Sequence, residues 1–229
     1  MWSVIIPAYN ESGRIGTTLD SVDAYFRERG IDVEIIVVDD GSTDDTVQIA
    51  QKHERITVIS GGVNHGKGWA VREGMKRAGG EIVLFTDADL ATPIEEVERL
   101  FNALKNGSDI AVGSRMAKPR LIEKYQPWYR VLLGQAFGFI VWMFFSIGVK
   151  DTQCGFKMFT SKAAKMLAER MTVDGYTFDV EMLFLAKRMG LKVAELPVIW
   201  RDKPGSKLKV WKDFPYIMKE LAAMRRSLK

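Results

Sequence analysis

The sequence predicts an α/β fold in which a mostly parallel, doubly wound sheet carries helices on both faces. Short apolar runs rich in β-branched residues alternate with longer segments of helical character, and turn residues separate them. Carboxylate-bearing clusters follow several of the apolar runs. The alternation of apolar runs with helical segments is typical of βα units. At 229 residues the chain is long enough for one domain, which we expect to span 1–229.

The first half of the chain supplies the core of the predicted sheet. Five strands are expected, at 4–8, 33–38, 56–60, 81–86 and 109–112. The helices between them are expected at 12–29, from about 42–45 onward, at 68–78 and at 93–105. Thr92 is suited to cap the last of these helices, with Pro93 at its first position. Pro7 lacks a backbone N–H, so strand pairing should end there.

The second half begins with a polar and aromatic loop at 116–129, followed by the uncharged stretch 131–149. Nineteen uncharged residues are just enough to span a membrane, but Gly134, Gln135 and Gly138 weaken that interpretation. We expect a helix that lies on a membrane or in a hydrophobic groove; a span or a buried core helix is the alternative. The remaining elements are strands at 156–159 and 192–196, helices at 161–170 and 177–189, and a basic carboxyl-terminal helix.

Composition excludes several classes of protein. With 47% hydrophobic and 27% charged residues, the chain is not of the disordered type. Cys154 is the only cysteine, which excludes an internal disulfide and a cysteine-based zinc site. The amino terminus enters a strand at once, so we expect no signal peptide and a protein that faces the cytosol.

The net charge of +4 conceals two basic stretches. Residues 201–229 carry nine Lys/Arg against three Asp/Glu, and residues 115–130 carry five against one. Together they contribute +10, so the rest of the chain carries −6. A basic face is typical of proteins that bind phosphate groups, anionic membranes or nucleic acid, although it is also compatible with a solvated helix face. No nucleic-acid recognition motif accompanies these residues.

The most informative motif is Asp87-Ala88-Asp89, directly after the apolar run 81–86. Open α/β sheets bind ligands beyond the carboxyl ends of their strands. One carboxylate there would suit a helix cap. Two carboxylates form a hard-oxygen site of the kind that binds Mg²⁺ or Mn²⁺ together with substrate phosphates.

Two further loops should reach the same edge of the sheet. After the first strand, Tyr9 offers a ring for stacking on a nucleobase and Glu11 offers an acceptor for base or ribose donors. After the second strand, Asp40 is placed to meet the base or ribose. The alternative for Glu11 is an ordinary place in a helical first turn. Carboxylates on three neighbouring loops favour a nucleotide site with a metal.

Basic residues supply candidate phosphate contacts. The glycine-rich segment 61–68 resembles a phosphate-binding loop but has Gly68 where an ATPase loop has Ser or Thr. The candidates are Arg115, Arg130, Arg201 and Lys207, because arginine suits bidentate recognition and lysine acts as a mobile charge. The segment 201–207 is expected to be a flexible loop that closes over a pyrophosphate.

Taken together, these segments resemble the family 2 glycosyltransferases of GT-A type, which have a Rossmann-like sheet. The likeness is strongest to the polyprenyl-phosphate branch, which includes dolichyl-phosphate glucosyl- and mannosyltransferases. It is carried, in family order, by Ile5–Glu11, Val37–Asp44, Thr86–Thr92, Gly113–Arg115, Asp151–Lys157, Phe178–Glu181 and Gly205–Lys207. The motifs Asp87–Thr92, Asp151–Lys157 and Phe178–Glu181 look more like the glucosyl branch.

The resemblance implies roles for matching positions. The nucleoside would be held by Pro7, Tyr9, Glu11, Val38 and Asp40, and the metal and diphosphate by Asp87, Ala88 and Asp89. Donor phosphates would meet Arg201 and Lys207, the acceptor phosphate would meet Arg115 and Arg130, and Asp179 would lie near the sugar. In this scheme, residues 1–115 bind the nucleotide sugar, and residues 116–229 bind the acceptor with the hydrophobic helix 131–149.

The resemblance implies inverting, metal-dependent transfer of a hexose, most simply glucose from UDP-glucose, to a polyprenyl or dolichyl phosphate. The site would lie at the cytoplasmic side of a membrane, with the protein peripherally bound. Alternatives are a GDP-mannose-dependent mannose synthase, a family 2 enzyme with a non-lipid acceptor that uses a base such as Asp179, and a non-catalytic nucleotide-sugar or membrane-binding module.

Overall fold

The structure is a computed structural model that describes residues 1–116, 121–124, 128–203 and 210–227; for 121–124, 128–133, 135, 210–215 and 227 it describes the backbone alone. The strands within these residues are β1 (Trp2–Ala8), β2 (Val33–Asp39), β3 (Ile56–Ser60), β4 (Ile82–Thr86), β5 (Ile110–Ser114), β6 (Leu121–Lys124), β7 (Phe156–Thr160), β8 (Val193–Pro197) and β9 (Ile199–Arg201). The helices are α1 (Ile15–Glu28), α2 (Thr46–Gln51), α3 (Lys67–Arg77), α4 (Val97–Lys105), α5 (Trp128–Phe145), α6 (Ser161–Ala168), α7 (Phe178–Arg188) and α8 (Val210–Ser227).

Seven strands form one sheet in the order β3-β2-β1-β4-β7-β5-β8. All are parallel except β7, which runs antiparallel to both β4 and β5. The predicted mostly parallel sheet is therefore confirmed. Because β7 is reversed, its first residue, Phe156, pairs with the last residue of β4, Thr86. The loop that precedes β7 thus meets the loop that follows β4 at the carboxyl edge of the sheet.

Helices cover both faces of the sheet, as the sequence predicts. Successive strand residues point to opposite faces, so Ile5 belongs to one core and Ile6 to the other. The first core packs against α3, α6 and α7, with buried residues of α5 and α8 joining it. The second packs against α1, α2 and α4. Two apolar layers therefore hold the loops of the carboxyl edge in place.

Pro7 does not end strand β1, contrary to the prediction from its missing N–H. Pairing with β2 continues through Pro7 and Ala8, whereas pairing with β4 ends at Ile5. Backbone groups of successive residues point to alternate neighbours, and the Ala8 carbonyl accepts the Asp40 N–H on the β2 side at 2.8 Å. The proline nitrogen therefore faces the β4 side, where no ladder bond is lost.

Three helices begin later than predicted: α1 begins at Ile15 rather than at 12, and α2 and α4 also start late. Helix α2 begins at Thr46, because Ser42 accepts the Asn10 N–H and Asp44 accepts the Ser12 N–H. Helix α4 begins at Val97 after a 3₁₀ turn at Ile94–Glu96, and Pro93 precedes that turn with an extended ψ. The prediction that Pro93 occupies the first position of this α-helix is therefore wrong.

Helix α5 spans Trp128–Phe145 rather than 131–149. It stops there because Ser146 and Gly148 take positive φ angles of 48° and 84°. Val141 and Phe145 are buried, and Phe145 packs edge-on against Phe184 of α7. Among the helices in the described part of the chain, none is both long and apolar enough to cross a membrane.

The expected loop 116–129 contains a strand, β6, that pairs in parallel with β9. Arg201, predicted to begin a flexible loop, is instead the last residue of β9. Its N–H donates to the Ala91 carbonyl at 2.8 Å, which ties this small sheet to the loop after β4. Residues 204–209, which complete the predicted loop, lie outside the described residues.

Candidate active site

A cleft of about 520 Å³ lies at the carboxyl edge of the large sheet. The ends of β1, β2, β4 and β5 converge on it, together with the start of α3 and the loop before β7. Of the residues proposed from the sequence, eight line it: Pro7, Tyr9, Glu11, Asp40, Asp87, Ala88, Asp89 and Arg115. Three loops that are far apart in the chain thus meet in one cavity, as the strand pattern predicts.

The loop after β4 is held at several points. Asp89 Oδ1 accepts the Ala91 N–H at 2.9 Å, and Thr18 donates its hydroxyl to the Ala88 carbonyl at 2.6 Å. The Asp87 N–H donates to the Gly155 carbonyl at 3.1 Å. Burial, with a smaller contribution from Asp87, raises the pKa of Asp89. The two carboxylates are fixed in direction before any ligand binds.

Lys67 is the cation nearest to this motif. It is the first residue of α3, and its Nζ lies 2.7 Å from Asp87 Oδ1. Burial alone would lower the pKa of this ammonium, but attraction by Asp87 and Asp179 raises it. The cleft therefore holds a permanent positive charge beside the first aspartate.

Asp40 positions the glycine-rich loop. Its two carboxylate oxygens accept the backbone N–H groups of His65 at 2.7 Å and Gly66 at 2.8 Å. Gly66 has a φ of 121°, which favours glycine. Burial raises the pKa of Asp40, although these bonds oppose the effect. Asp40 thus lines the cleft as predicted and also holds the turn that leads into Lys67.

Arg115 is bound tightly to the loop before β7. Its Nε and Nη2 donate to the two oxygens of Asp151, each at 2.8 Å, and its backbone N–H donates to Asp151 as well. Asp151 is 3% exposed, and the arginine holds its pKa low against the effect of burial. The guanidinium also lies 5.5 Å from the Trp200 ring. Arg115 is a rigid cation in the cleft wall.

Asp179 lies beneath the cleft. It forms a buried ion pair with Lys157, which also donates to the Cys154 carbonyl at 2.7 Å. Burial raises the pKa of Asp179. The residue is 3% exposed and is not part of the cleft lining. Asp179 is thus a buried and paired carboxylate, and its place near a bound sugar stays a prediction.

Two other proposed residues do not line the cleft. The Val38 side chain is fully buried and packs close to Gly74 of α3. Arg201 is exposed at the end of β9. Lys207 and the side chain of Arg130 lie outside the described residues.

The donor set fits a divalent metal that is held jointly with a substrate. Within the described ranges, no three His, Cys, Asp or Glu side chains cluster to form a complete metal site. Asp87 and Asp89 line one cavity and present hard oxygens. Mg²⁺ and Mn²⁺ sites of this type use one or two carboxylates, with phosphates and water as the remaining ligands.

Sequence reasoning missed several residues of the cleft, including Lys67, Gln153, Gly155 and Trp200. A lysine in a glycine-rich loop at the ligand edge was a usable signal for Lys67. Gln153 and Gly155 stand in a segment that carried the family likeness but received no role. Only the reversed direction of β7 brings that segment to the cleft.

Comparison with known proteins supports the same family. Residues 3–167 match the model of Glycosyl transferase family 2. The dolichyl-phosphate beta-glucosyltransferase of Drosophila melanogaster is 40% identical over 223 residues, which cover 90% of this chain and 68% of that one. The Homo sapiens protein of the same name is 37% identical, with 90% and 69% covered. That of Saccharomyces cerevisiae is 35% identical, with 97% and 73% covered.

Solved structures share the fold. Mannosyl-3-phosphoglycerate synthase from Rubrobacter xylanophilus superposes with a TM-score of 0.77 at 21% identity, covering 98% of this chain and 73% of that one. Glucosyl-3-phosphoglycerate synthase from Mycobacterium tuberculosis, solved with Mn²⁺, UDP-glucose and phosphoglyceric acid, gives 0.73 at 22% identity, with 99% and 79% covered. These likenesses confirm the GT-A fold. With the family match and the relatives, they show that the chain belongs to glycosyltransferase family 2 and is a glycosyltransferase.

Proposed function

We propose that this enzyme transfers glucose from UDP-glucose to a polyprenyl phosphate of the dolichyl type, with inversion at the anomeric carbon and with Mg²⁺ or Mn²⁺ as cofactor. The names of its relatives support glucose and a dolichyl phosphate. The observation that carries the proposal is the cleft, where two fixed carboxylates stand between cations at the ligand edge of the sheet. An activated sugar with a diphosphate leaving group suits that combination of charges.

On the donor side, residues 1–115 would bind the nucleotide sugar. Pro7, Tyr9, Glu11 and Asp40 line one part of the cleft and would meet the nucleoside, together with Val38 near the end of β2. Asp87 and Asp89 would hold the metal. A bound divalent ion would neutralise the diphosphate as a Lewis acid and hold it in place. Arg201 and Lys207, the first and last residues of the segment 201–207, would contact the donor phosphates.

On the acceptor side, residues 116–229 would bind the lipid, and its phosphate would meet Arg130 from this half and Arg115 at the end of the donor half. A phosphate monoester has a second pKa of about 6, so it is largely ionised at neutral pH. Its oxygen would form the bond to the anomeric carbon while the bond to the diphosphate breaks and the nucleoside diphosphate leaves. Such a nucleophile has little need of a general base.

The position of Asp179 favours this acceptor over a hydroxyl. A hydroxyl acceptor requires a base in reach of the reacting oxygen. Asp179, the residue considered for that task, is buried and paired with Lys157. A phosphate acceptor instead requires cations, and Arg115, which Asp151 holds in the cleft wall, would supply one.

The exposed face of α5 would lie against the membrane that contains the lipid. Phe139, Trp142 and Met143 are each more than half exposed. Arg225 of α8 lies 4.8 Å from the Phe144 ring and adds positive charge beside this apolar face. Aromatic and basic residues together are typical of helices at an anionic lipid surface. Peripheral binding at the cytoplasmic side is part of this proposal.

The test is a transfer assay with matched donors and acceptors. The protein is incubated with Mg²⁺ and either UDP-[¹⁴C]glucose or GDP-[¹⁴C]mannose, and the lipid is extracted into organic solvent. The acceptors are a polyprenyl phosphate, the same polyprenol without phosphate, and 3-phosphoglycerate. We expect labelled lipid only with UDP-glucose and the polyprenyl phosphate. Label from GDP-mannose would favour a mannose synthase, and label on the soluble acid would contradict the lipid acceptor.

A further inference from the structure

Lys67 contacts the oxygen of Asp87 that a metal ion would need. Its Nζ lies 2.7 Å from Oδ1, and the side chains of the two residues are 29% and 33% exposed at the cleft. A Cβ on Gly155 would overlap with the whole Asp87 carboxylate, lying nearest to Oδ2 and 2.7 Å from Oδ1. Oδ1 is thus the less crowded of the two oxygens, and it is the one that Lys67 contacts.

A divalent cation and an ammonium group compete for one carboxylate oxygen. Both are attracted to Oδ1, and at such short separation they repel each other strongly in a partly desolvated site. A metal ion that binds Asp87 through Oδ1 must therefore either displace the Lys67 ammonium or bind against its electrostatic repulsion. The ion pair would therefore lower the affinity of the site for a metal ion in the absence of a nucleotide.

The backbone of Lys67 is fixed, so only its side chain can yield. Asp40 holds the preceding Gly66 N–H at 2.8 Å, and the following Gly68 N–H donates to the Asp174 carbonyl at 2.7 Å. A Cβ on Gly68 would overlap with the Val173 carbonyl, which shows how closely the two segments pack. The start of α3 is thus fastened on both sides of Lys67.

The carboxylates near Lys67 are already engaged. Asp179 is paired with Lys157. Asp89 accepts the Ala91 N–H and lies 3.9 Å from Arg14 Nη1. A ligand anion would therefore meet less competition for a displaced ammonium than it would beside unpaired carboxylates. A diphosphate bound in the cleft offers that anion, and it also offers oxygens to complete the coordination of the metal.

We propose that Lys67 holds the metal-binding oxygen of Asp87 until a nucleoside diphosphate arrives and then binds the diphosphate, so that metal and nucleotide bind cooperatively. This proposal rests on the proposed function in one respect: the donor carries a diphosphate that shares a metal with Asp87 and Asp89. Lys67 is then a donor-binding residue with two alternative partners. By linkage, metal and nucleotide strengthen each other's binding by the same factor.

The test measures binding of Mn²⁺, by electron paramagnetic resonance of the free ion, with and without saturating UDP or GDP. Wild-type protein should bind Mn²⁺ about 5- to 150-fold more tightly when UDP is present, the usual range for coupled sites. Lys67→Met should bind Mn²⁺ alone at least about fivefold more tightly than wild type, and the gain from UDP should shrink by a similar factor. UDP binding by this variant should weaken.

The matched control is Lys76→Met on the same helix. Lys76 also pairs with a carboxylate at 2.7 Å, on Glu73, but stands away from the cleft. The Lys76→Met substitution should leave the binding of Mn²⁺ and of UDP unchanged. Circular dichroism establishes that each variant is folded, and Lys67→Gln replaces the methionine variant if needed. Unchanged or weaker Mn²⁺ binding by a folded Lys67 variant would overturn the proposal, as would wild-type Mn²⁺ binding that ignores both UDP and GDP. Neither result depends on whether glucose is transferred.

Discussion

Gly155 lies directly against the carboxylate of Asp87, and the two residues are joined by a hydrogen bond from the Asp87 N–H to the Gly155 carbonyl at 3.1 Å. A side chain of any size at position 155 would overlap with the carboxylate. The contact exists because β7 runs antiparallel beside β4 and begins where β4 ends. Gly155 therefore determines where the first aspartate of the motif can stand.

Gly155→Ala should reduce the rate of sugar transfer about a hundredfold, because a displacement of about 1 Å at a catalytic group can cost that much. Initial rates with extracted labelled lipid measure the effect. Gly13→Ala is the control, since nothing lies within 4 Å of its added Cβ. It should leave the rate within about twofold of wild type. Near-normal rates for Gly155→Ala would show that the position of Asp87 is not critical.

Asp89→Asn should abolish metal-dependent transfer, with a loss of at least about a hundredfold, because a metal ion supplies several kcal/mol of charge stabilisation. The fold should survive, since the asparagine oxygen can still accept the Ala91 N–H that Asp89 Oδ1 accepts at 2.9 Å. Thermal unfolding followed by circular dichroism checks the fold. A folded variant that retains most of its activity would refute the metal-binding role.

Asp151→Asn should lower the free energy of unfolding by about 3 kcal/mol, because it leaves the Arg115 charge uncompensated in the cleft wall. Urea unfolding measures the change. The double variant with Asp151→Asn and Arg115→Met should lose less stability than the sum of the two single losses. Each single variant leaves one member of the pair without its partner, whereas the double variant removes both. Asp20→Asn, at a side chain 73% exposed, should change stability by less than about 0.5 kcal/mol. Strict additivity would contradict the coupling.

The stability contributed by Asp44 should vanish in acid. Partial burial would raise the pKa of this carboxylate, but hydrogen bonds from Thr46 and Ser12 lower it to about 2. Because the folded-state pKa lies below the unfolded value of about 3.9, the contribution is complete above pH 4 and is lost as the pH falls toward 2.

Asp44→Asn should therefore cost about 1 kcal/mol at pH 7, and wild type and variant should converge near pH 2. Urea unfolding at a series of pH values measures this difference. Asp45→Asn is the control, because that side chain makes no capping hydrogen bond. A difference that stays constant from pH 7 to pH 2 would show that the Asp44 charge does not matter.

Local sequence patterns predicted the sheet and the carboxylates at its edge. The apolar runs gave strands at nearly the observed positions, and the place of Asp87 and Asp89 followed from the end of one run. The direction of β7 was beyond such reasoning, because Phe156–Thr160 has the same apolar character whichever way it runs. The strand β6 lies in a stretch whose prolines and polar residues indicate a loop.

The pairing of charges could not be predicted either. Arg115 and Asp151 are 36 residues apart, and Lys157 and Asp179 are 22 apart. Each pair forms only after the sheet brings its loops together, and nothing in the sequence distinguishes these charges from surface ones. The family motif predicts that Asp179 lies near the sugar, but its burial and its pairing with Lys157 follow from the packing of α7.

The central claim is that the carboxylates after β4 hold a divalent ion which binds the diphosphate of the donor. The most direct measurement is a crystal structure with Mn²⁺ and UDP, in which anomalous scattering locates the metal. We predict one manganese ion in contact with Asp89 and the diphosphate, with the uracil toward Tyr9 and Asp40. A nucleotide bound outside this cleft, or manganese in contact with neither Asp87 nor Asp89, would contradict the account.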